Sequence, residues 1–240
     1  MKHQLLYKDL ARYYDHIYSF KNYEAETKEL RSLIEKYKRS KGSDMLDIAC
    51  GTGKHLAYFK RWYSCIGVDV NEGMLRVARK KIKGVVFKKG DMTTLKLNRT
   101  FDVITCLFSS IGYVRTYANL GKTIIALSKH LKPGGVLIIE PWFTQKTYRP
   151  GLPHMTTYSS PDIKIARLNV SERRGSVSVM DMHYLVAERG HKVKYFVDRH
   201  ELGMFEPDRL IGLMRKANLE TRLAKSKLMK DRGLYVGVKV

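Results

Sequence analysis

The 240-residue chain reads as an α/β protein: an open parallel sheet with helices on both faces, an N-terminal helical cap and an inserted antiparallel β meander. Three observations carry that expectation. Between residues 45 and 140, apolar runs of strand length alternate with segments of helical period, the pattern of parallel βαβ units with right-handed crossovers. The first run closes on Asp47-Ile48-Ala49-Cys50-Gly51-Thr52-Gly53, and the second ends on Asp69. After Glu140 the βα rhythm gives way to alternating runs separated by tight-turn sequences.

The elements follow in order. Residues 9–40 read as helix, first a short tyrosine-bearing piece and then Tyr23 to Tyr37, where Leu30, Leu33 and Ile34 recur at helical spacing. Met45 to Ala49 is a buried strand, Lys54 to Arg61 a helix, Cys65 to Val68 a strand, and Glu72 to Lys81 a helix carrying Met74, Leu75 and Val77. Val85 to Phe87 and Phe101 to Leu107 are the next strands, Tyr117 to His130 a helix, and Lys132-Pro133-Gly134-Gly135 a turn into Val136 to Ile139. Thr144 to Pro161, with its prolines, is the least structured stretch. Ile163 to Asn169, Val177 to Ala187 and Val193 to Leu202 form the meander. A helix from Pro207 to Ala217 and a hairpin of Thr221 to Leu228 with Leu234 to Val240, turning at Asp231-Arg232-Gly233, return to the main sheet. The chain is thus expected to be one domain, with a cap (1–40), a core (41–140), an insertion (141–205) and a closing segment (206–240).

Composition narrows the class. No run approaches the ~20 apolar residues of a membrane helix, and the start leads into a charged, tyrosine-rich segment, so a soluble cytoplasmic protein is expected. Cys50, Cys65 and Cys106 lack C-x-x-C spacing, which argues against a disulfide framework or a zinc site; packing is their simpler role. The 45 Lys and Arg against 23 Asp and Glu give +22. An anionic partner, RNA or a nucleotide-linked substrate, is one reading. The basic residues are spread over most elements, however, which favours a generally solvated basic surface over a dedicated nucleic-acid face.

In open α/β sheets, ligands bind beyond the carboxyl ends of the strands, where the connections diverge. That edge gathers the glycine turn, Asp69, Gly90-Asp91-Met92 and Leu107-Phe108-Ser109-Ser110. Glycine lets the backbone approach a ligand, and an acid about 20 residues on can hold ribose hydroxyls. A dinucleotide fingerprint would place a third glycine at position 56. Leu56 stands there, and no lysine-serine pair follows Gly53. NAD and ATP therefore yield to a smaller ligand bearing adenosine and no phosphate. Asp69 and Asp91 are the stronger evidence, since packing alone asks for no carboxylate at a strand end. Asp47 could instead cap the following helix.

On these residues the chain resembles the Rossmann-like class I S-adenosylmethionine-dependent methyltransferases over residues 45–140. The resemblance implies S-adenosylmethionine as cofactor, with S-adenosylhomocysteine as product. It implies Asp47, Ala49 and Gly51 around the methionine portion, Cys50 and Gly53 also at the cofactor, Asp69 on the ribose, Val70 and Met74 along the adenine, Asp91 on its amino group beside Met92, and Leu107 lining the cofactor.

Tyr14-Asp15-His16-Ile17-Tyr18, Lys21-Asn22-Tyr23, Phe108 to Tyr113, Glu140-Pro141-Trp142, Met182-His183-Tyr184 and Arg232 to Val238 extend the likeness. They resemble the N,N-dimethyltransferases of nucleotide-linked (dTDP) amino sugars. That likeness implies a small-molecule amine acceptor and methylation on nitrogen. It puts Tyr18 and Tyr14 at the acceptor, Tyr23 at the cofactor carboxylate, Trp142 in the pocket wall, and Arg167 and Arg232 on the diphosphate-sugar portion. Tyr14 and Tyr18, four apart, share one helical face. Two features depart from the pattern: the link between Tyr18 and Tyr23 is short, and position 113 holds Tyr113 where some of these enzymes carry histidine. Tyr18, Tyr113 or solvent could remove the proton from the amine. An RNA methyltransferase using the basic surface is the alternative, against which stand the absence of an Asn/Asp-Pro-Pro-Tyr/Phe sequence after strand four and of an appended RNA-binding module. A homodimer is the expected assembly if there is one.

Overall fold

The computed structural model describes residues 11–226 and 232–240. Eleven strands and six α-helices are described in that span. The cap comprises α1 (Ala11–Ile17) and α2 (Tyr23–Tyr37). Asn22 caps α2 by accepting the Ala25 N–H at 3.0 Å, and Glu24 and Glu26 sit in the first turn, favourable to the helix dipole. Then follow β1 (Asp44–Ile48), α3 (Leu56–Phe59), β2 (Ser64–Asp69), α4 (Glu72–Lys81), β3 (Val86–Lys89) and β4 (Phe101–Cys106). A 3-10 turn (Ser110–Val114), α5 (Tyr117–Lys129) and β5 (Leu131–Ile139) complete the parallel part.

The main sheet has seven strands in the order β10-β11-β5-β4-β1-β2-β3. β1 pairs in parallel with both β2 and β4. The chain therefore steps outward to β3 and then returns to the other side of β1, which makes the β1/β4 boundary the topological switch point where ligands bind. Alternation along the strands feeds two cores. Leu46, Ile48, Ile104 and Cys106 pack with α5 and α6 on one face, and Met45, Cys65, Val103 and Ile138 pack with α2, α3 and α4 on the other. Burial on both faces is why these strands read as continuous apolar runs.

The second sheet is antiparallel, β6 (Pro153–Ser159), β7 (Ile163–Arg174), β8 (Val177–Glu188) and β9 (Lys194–Gly203) in sequence order. Its inner face meets α1: Ile165, Tyr184, Val186 and Phe196 form a third cluster with Ala11, Tyr13, Tyr14, Ile17 and Met74. α6 (Pro207–Lys216), β10 (Leu219–Ala224) and β11 (Leu234–Lys239) then close the main sheet, with β11 antiparallel to β5. Among the described residues no helix is long and apolar enough to cross a membrane.

Three local expectations change. The helix read over Lys54 to Arg61 contracts to α3, because the chain tightens into turns, Arg61 N–H to the Tyr58 carbonyl and Trp62 N–H to the Phe59 carbonyl, on entering β2. Lys132-Pro133-Gly134-Gly135 lies inside β5 as an irregularity, the β4 register jumping from Leu131 to Val136. Gly134 has φ +73°, and a Cβ there would stand 2.9 Å from the Ser40 nitrogen. The least structured stretch contains β6, an edge strand exposed on one face and only half-buried at Thr156 and Tyr158 on the other, hence without an apolar signature; its proline stands at the first position, where no ladder bond is lost. The hairpin keeps its two strands, while Leu228 and Asp231 fall outside the described residues.

Candidate active site

Four parts of the chain converge on one cleft of about 800 Å³ at the carboxyl edge of β1, β2, β4 and β5. The cap gives Tyr14, Tyr18 and Lys21; the core gives Ala49, Gly51, Asp69, Val70, Met74, Asp91, Met92 and Tyr113; the insertion gives Trp142, Arg167 and His200; the closing segment gives Arg232. Backbone strain concentrates here. Ala49, Phe108, Ser109 and Arg115 are non-glycine residues with φ between 52° and 60°, and all four line the cleft.

The glycine turn is held open by Asp69. Its Oδ2 accepts the Gly51 N–H at 2.8 Å and its Oδ1 the Asn71 N–H at 2.8 Å. Gly51 itself, at φ +57°, has a left-handed conformation that a side chain would strain. Val70 is 37% exposed at the cleft wall, an apolar surface placed beside a carboxylate. Asp91 accepts the Thr93 N–H at 2.8 Å and the Thr93 hydroxyl at 2.7 Å, which fixes its carboxylate at the rim.

The floor is acidic although the chain is strongly basic. Asp47, Asp69 and Glu140 are all buried. Burial pushes the Asp47 carboxyl up to about 6 and raises Asp69 and Glu140 as well, their backbone N–H bonds opposing the rise for the last two. Glu140 Oε2 accepts the Phe108 N–H at 2.7 Å. Three desolvated carboxyls grouped this way are stabilised by a cation laid over them, which suits a ligand carrying a sulfonium and an ammonium. An adenosine without phosphate suits the remaining wall, where Asp69, Val70, Met74 and Asp91 stand together.

The opposite wall is aromatic and cationic. Arg167 donates to the Tyr18 hydroxyl at 2.9 Å and to the Thr156 hydroxyl at 2.8 Å, and among the described residues no carboxylate pairs with it. Arg232 donates to Ser109 Oγ and to the Pro141 carbonyl, both at 3.1 Å, with its guanidinium 4.4 Å from the Phe143 ring centroid. Trp142 is fixed by its indole N–H to Ser178 Oγ at 2.8 Å. Burial holds the Tyr14 phenol well above its ordinary value, so it stays a donor. Tyr113 Oη meets His200 Nδ1 at 2.7 Å.

Five residues expected at the cofactor do not line the cleft. Asp47 lies beneath the floor and accepts the Thr105 hydroxyl at 2.7 Å instead of capping a helix. Cys50 turns its sulfur toward Gly67, Gly53 backs onto Ile82 and Phe87, and Leu107 is buried in the α2–α4 core. Tyr23 packs edge-on against His55 at 5.0 Å. Between Tyr23 and the cleft stands Lys21, 4.3 Å over the Phe108 ring and ion-paired to Glu26 at 2.6 Å.

Lys21 and Glu140 stand in motifs quoted from the sequence without an assigned role there, and His200 is not named there. Only His200 leaves a recoverable trace. Phe196, Asp198, His200 and Leu202 share the buried face of β9, and two ionisable residues at alternate positions of an inward face call for an explanation that packing does not provide.

The profile of a methyltransferase domain matches residues 45–135. The chain is 33% identical to the dTDP-3-amino-3,4,6-trideoxy-alpha-D-glucopyranose N,N-dimethyltransferase of Streptomyces venezuelae, over 96% of this chain and 98% of that one. Among solved structures, Streptomyces venezuelae DesVI superposes with a TM-score of 0.89 at 32% identity, covering 96% and 98% of the two chains. CalS10, an amino pentose methyltransferase from Micromonospora echinaspora solved with S-adenosylmethionine bound, superposes with a TM-score of 0.82 at 30% identity, covering 92% of each.

Proposed function

We propose, since this chain belongs to the S-adenosylmethionine-dependent sugar N-methyltransferases, that it methylates the amine of a nucleotide-linked amino sugar to the dimethylamino form. The observation that carries the reading is the polarity of the cleft: an acidic floor for a cationic cofactor faces an arginine-bearing wall for an anionic acceptor. Residues of all four chain segments contribute to it, which supports reading the whole chain as one catalytic unit.

When bound, S-adenosylmethionine supplies a methyl group on a sulfonium, ready for in-line displacement. Asp69 would accept from the ribose hydroxyls, Asp91 from the adenine amino group, and Val70 and Met74 would cover the ring. Ala49 and Gly51 would border the methionine portion, whose positive groups the Asp47 and Glu140 carboxyls favour from below. Lys21, with Tyr23 behind it, is the cation suited to the carboxylate. On the acceptor side Tyr14 and Tyr18 would orient the amine against the methyl group, Trp142 would stack on the sugar, and Arg167 and Arg232 would take the diphosphate through their planar donors.

A neutral amine attacking a sulfonium needs little covalent help, and holding the two in line can supply ~7–11 kcal/mol of the barrier. The remaining task is to keep the nitrogen lone pair free. The relatives' names lend no support to nucleic acid as acceptor. The test is a labelled methyl-transfer screen across dTDP-linked amino sugars, free amines and total RNA. Two successive transfers to one dTDP-amino sugar are expected; label entering RNA alone, in a salt-sensitive way, would overturn the reading.

A further inference from the structure

We propose that Tyr113, His200 and Asp198 form a proton relay that takes the proton from the acceptor amine before each methyl transfer. The proposal rests on the reading of the cleft as an amine N-methyltransferase site.

The geometry is built from two separate elements. Tyr113 lies in the 3-10 turn after β4, a turn bracketed by left-handed residues at Ser109 (φ 58°) and Arg115 (φ 60°). His200 and Asp198 lie on the buried face of β9, 2% and 0% exposed. Tyr113 lines the cleft and its Oη is 2.7 Å from His200 Nδ1. On the far side of the ring His200 Nε2 is 3.2 Å from Asp198 Oδ2, a close contact between two buried groups that does not meet hydrogen-bond geometry. In the proposed relay the Nε2 proton faces that carboxylate, which leaves Nδ1 to accept from the Tyr113 phenol.

The surrounding charges leave that chain intact. Arg115 pairs with Glu201 at 2.8 Å and Arg199 with Asp181 at 2.5 Å. β8 presents Met180 opposite His200, and Tyr14 and Tyr18 line the same cleft as Tyr113. A buried His–carboxylate pair that ends on a cleft-facing phenol has no packing rationale, because two apolar residues would fill the same space without desolvating a charge.

In the relay, the ammonium N–H bond breaks and its proton passes to Tyr113 Oη, as the Tyr113 proton passes to His200 Nδ1. The imidazolium so formed lies against the Asp198 carboxylate. The amine keeps its electron pair, forms the N–C bond as the C–S bond breaks, and emerges as a methylated ammonium. The proton returns through Tyr113 to solvent when the cleft opens for cofactor exchange, which resets the relay for the second transfer. Tyr113 touches the acceptor; His200 and Asp198 act through it as positioning residues.

The test uses the full-length protein with Tyr113→Phe, His200→Gln, Asp198→Asn and the Tyr113→Phe/His200→Gln pair. Turnover of Tyr113→Phe and of His200→Gln is expected to fall about 100-fold or more at neutral pH with S-adenosylmethionine affinity by calorimetry unchanged. Both should recover at high pH, and the pair should be no slower than either alone. Asp198→Asn should lower turnover with S-adenosylmethionine affinity unchanged. Nitrogen-15 spectra of the ligand-free protein should show His200 as the Nε2–H tautomer, with the Nδ1 signal moving in Tyr113→Phe. Wild-type kcat and pH profile in His200→Gln, additive losses in the pair, or an Nδ1–H tautomer would each overturn the relay. Failure of the wild-type protein to methylate any amine would instead overturn the functional reading, and the tautomer measurement would still decide whether the relay is assembled.

Discussion

The Thr52 hydroxyl donates to Asp15 Oδ1 at 2.6 Å. Thr52 belongs to the glycine turn and Asp15 to α1, so this one bond joins the glycine turn to the helix that carries Tyr14 and leads into Tyr18. Lys81 of α4 holds the other carboxylate oxygen at 2.5 Å. The cap is thereby tied to two elements of the cofactor half, although thirty-seven positions separate the first pair. Asp15→Ala should weaken S-adenosylmethionine binding about tenfold, the ~1.4 kcal/mol expected for a charge-assisted bond. Calorimetry on Asp15→Ala, Thr52→Val and the double variant checks it, the double being no weaker than Asp15→Ala.

Asp69→Ala should cost more. The carboxylate holds two backbone N–H groups, of Gly51 and Asn71, at 2.8 Å each, and would also hold the ribose. A loss of 10- to 100-fold or so in cofactor affinity is expected, with Asp69→Asn intermediate, since bonds to a charged group contribute ~1.5–3 kcal/mol. Titration calorimetry reads both.

Asp47 gives a pH signature. Burial raises its carboxyl from the ordinary 3.8 to about 6. The folded state therefore holds the proton more tightly than the unfolded chain, so this contribution to stability is full below pH ~4 and lost as pH rises through about 6, amounting to about 3 kcal/mol. Asp47→Asn should melt higher than the parent at pH 7.5 and no higher at pH 4, by scanning calorimetry. The same ionisation favours a bound cation, so the parent's cofactor affinity should rise between pH 5 and 7.5, and that rise should shrink in Asp47→Asn.

Arg167 and Tyr18 test the proposed acceptor side of the cleft separately from its cofactor side. Arg167→Gln should raise KM for the nucleotide-linked acceptor about tenfold or more, in line with a hydrogen bond to a charged group, and leave an acceptor without the diphosphate unaffected. Tyr18→Phe removes the acceptor of the Arg167 bond and should lower kcat/KM for the amine without changing cofactor affinity. Equal loss of cofactor binding in either variant would contradict the division of the cleft.

The parallel core was legible because its strands are apolar on both faces and end on polar residues at one edge, a pattern local to each segment. Asp69, Gly51 and Asp91 could be placed for the same reason: each ends a strand or opens a turn at the binding edge. β6 was not legible, since an edge strand whose inner face is only half-buried, at Thr156 and Tyr158, carries no apolar period. Leu107 fits the cofactor motif in sequence yet faces the core, because which face a strand-end residue presents depends on the sheet register, and Gly53 backs onto Ile82 and Phe87 because of how the turn after β1 packs. Tyr23 is a helix position whose direction is fixed by His55 and Glu26 packing beside it.

The sequence by itself determined the class of protein and the glycine turn and acids at one edge of its cleft, since a glycine turn, an acid at a strand end and Leu56 in place of a third glycine act through local backbone geometry. The tertiary structure decided the wall proposed for the acceptor. Tyr18 meets Arg167 across 149 positions and Tyr113 meets His200 across 87, contacts made by the second sheet closing over α1 and the turn after β4. No local propensity encodes such a meeting; it arises only when separate apolar faces are buried together.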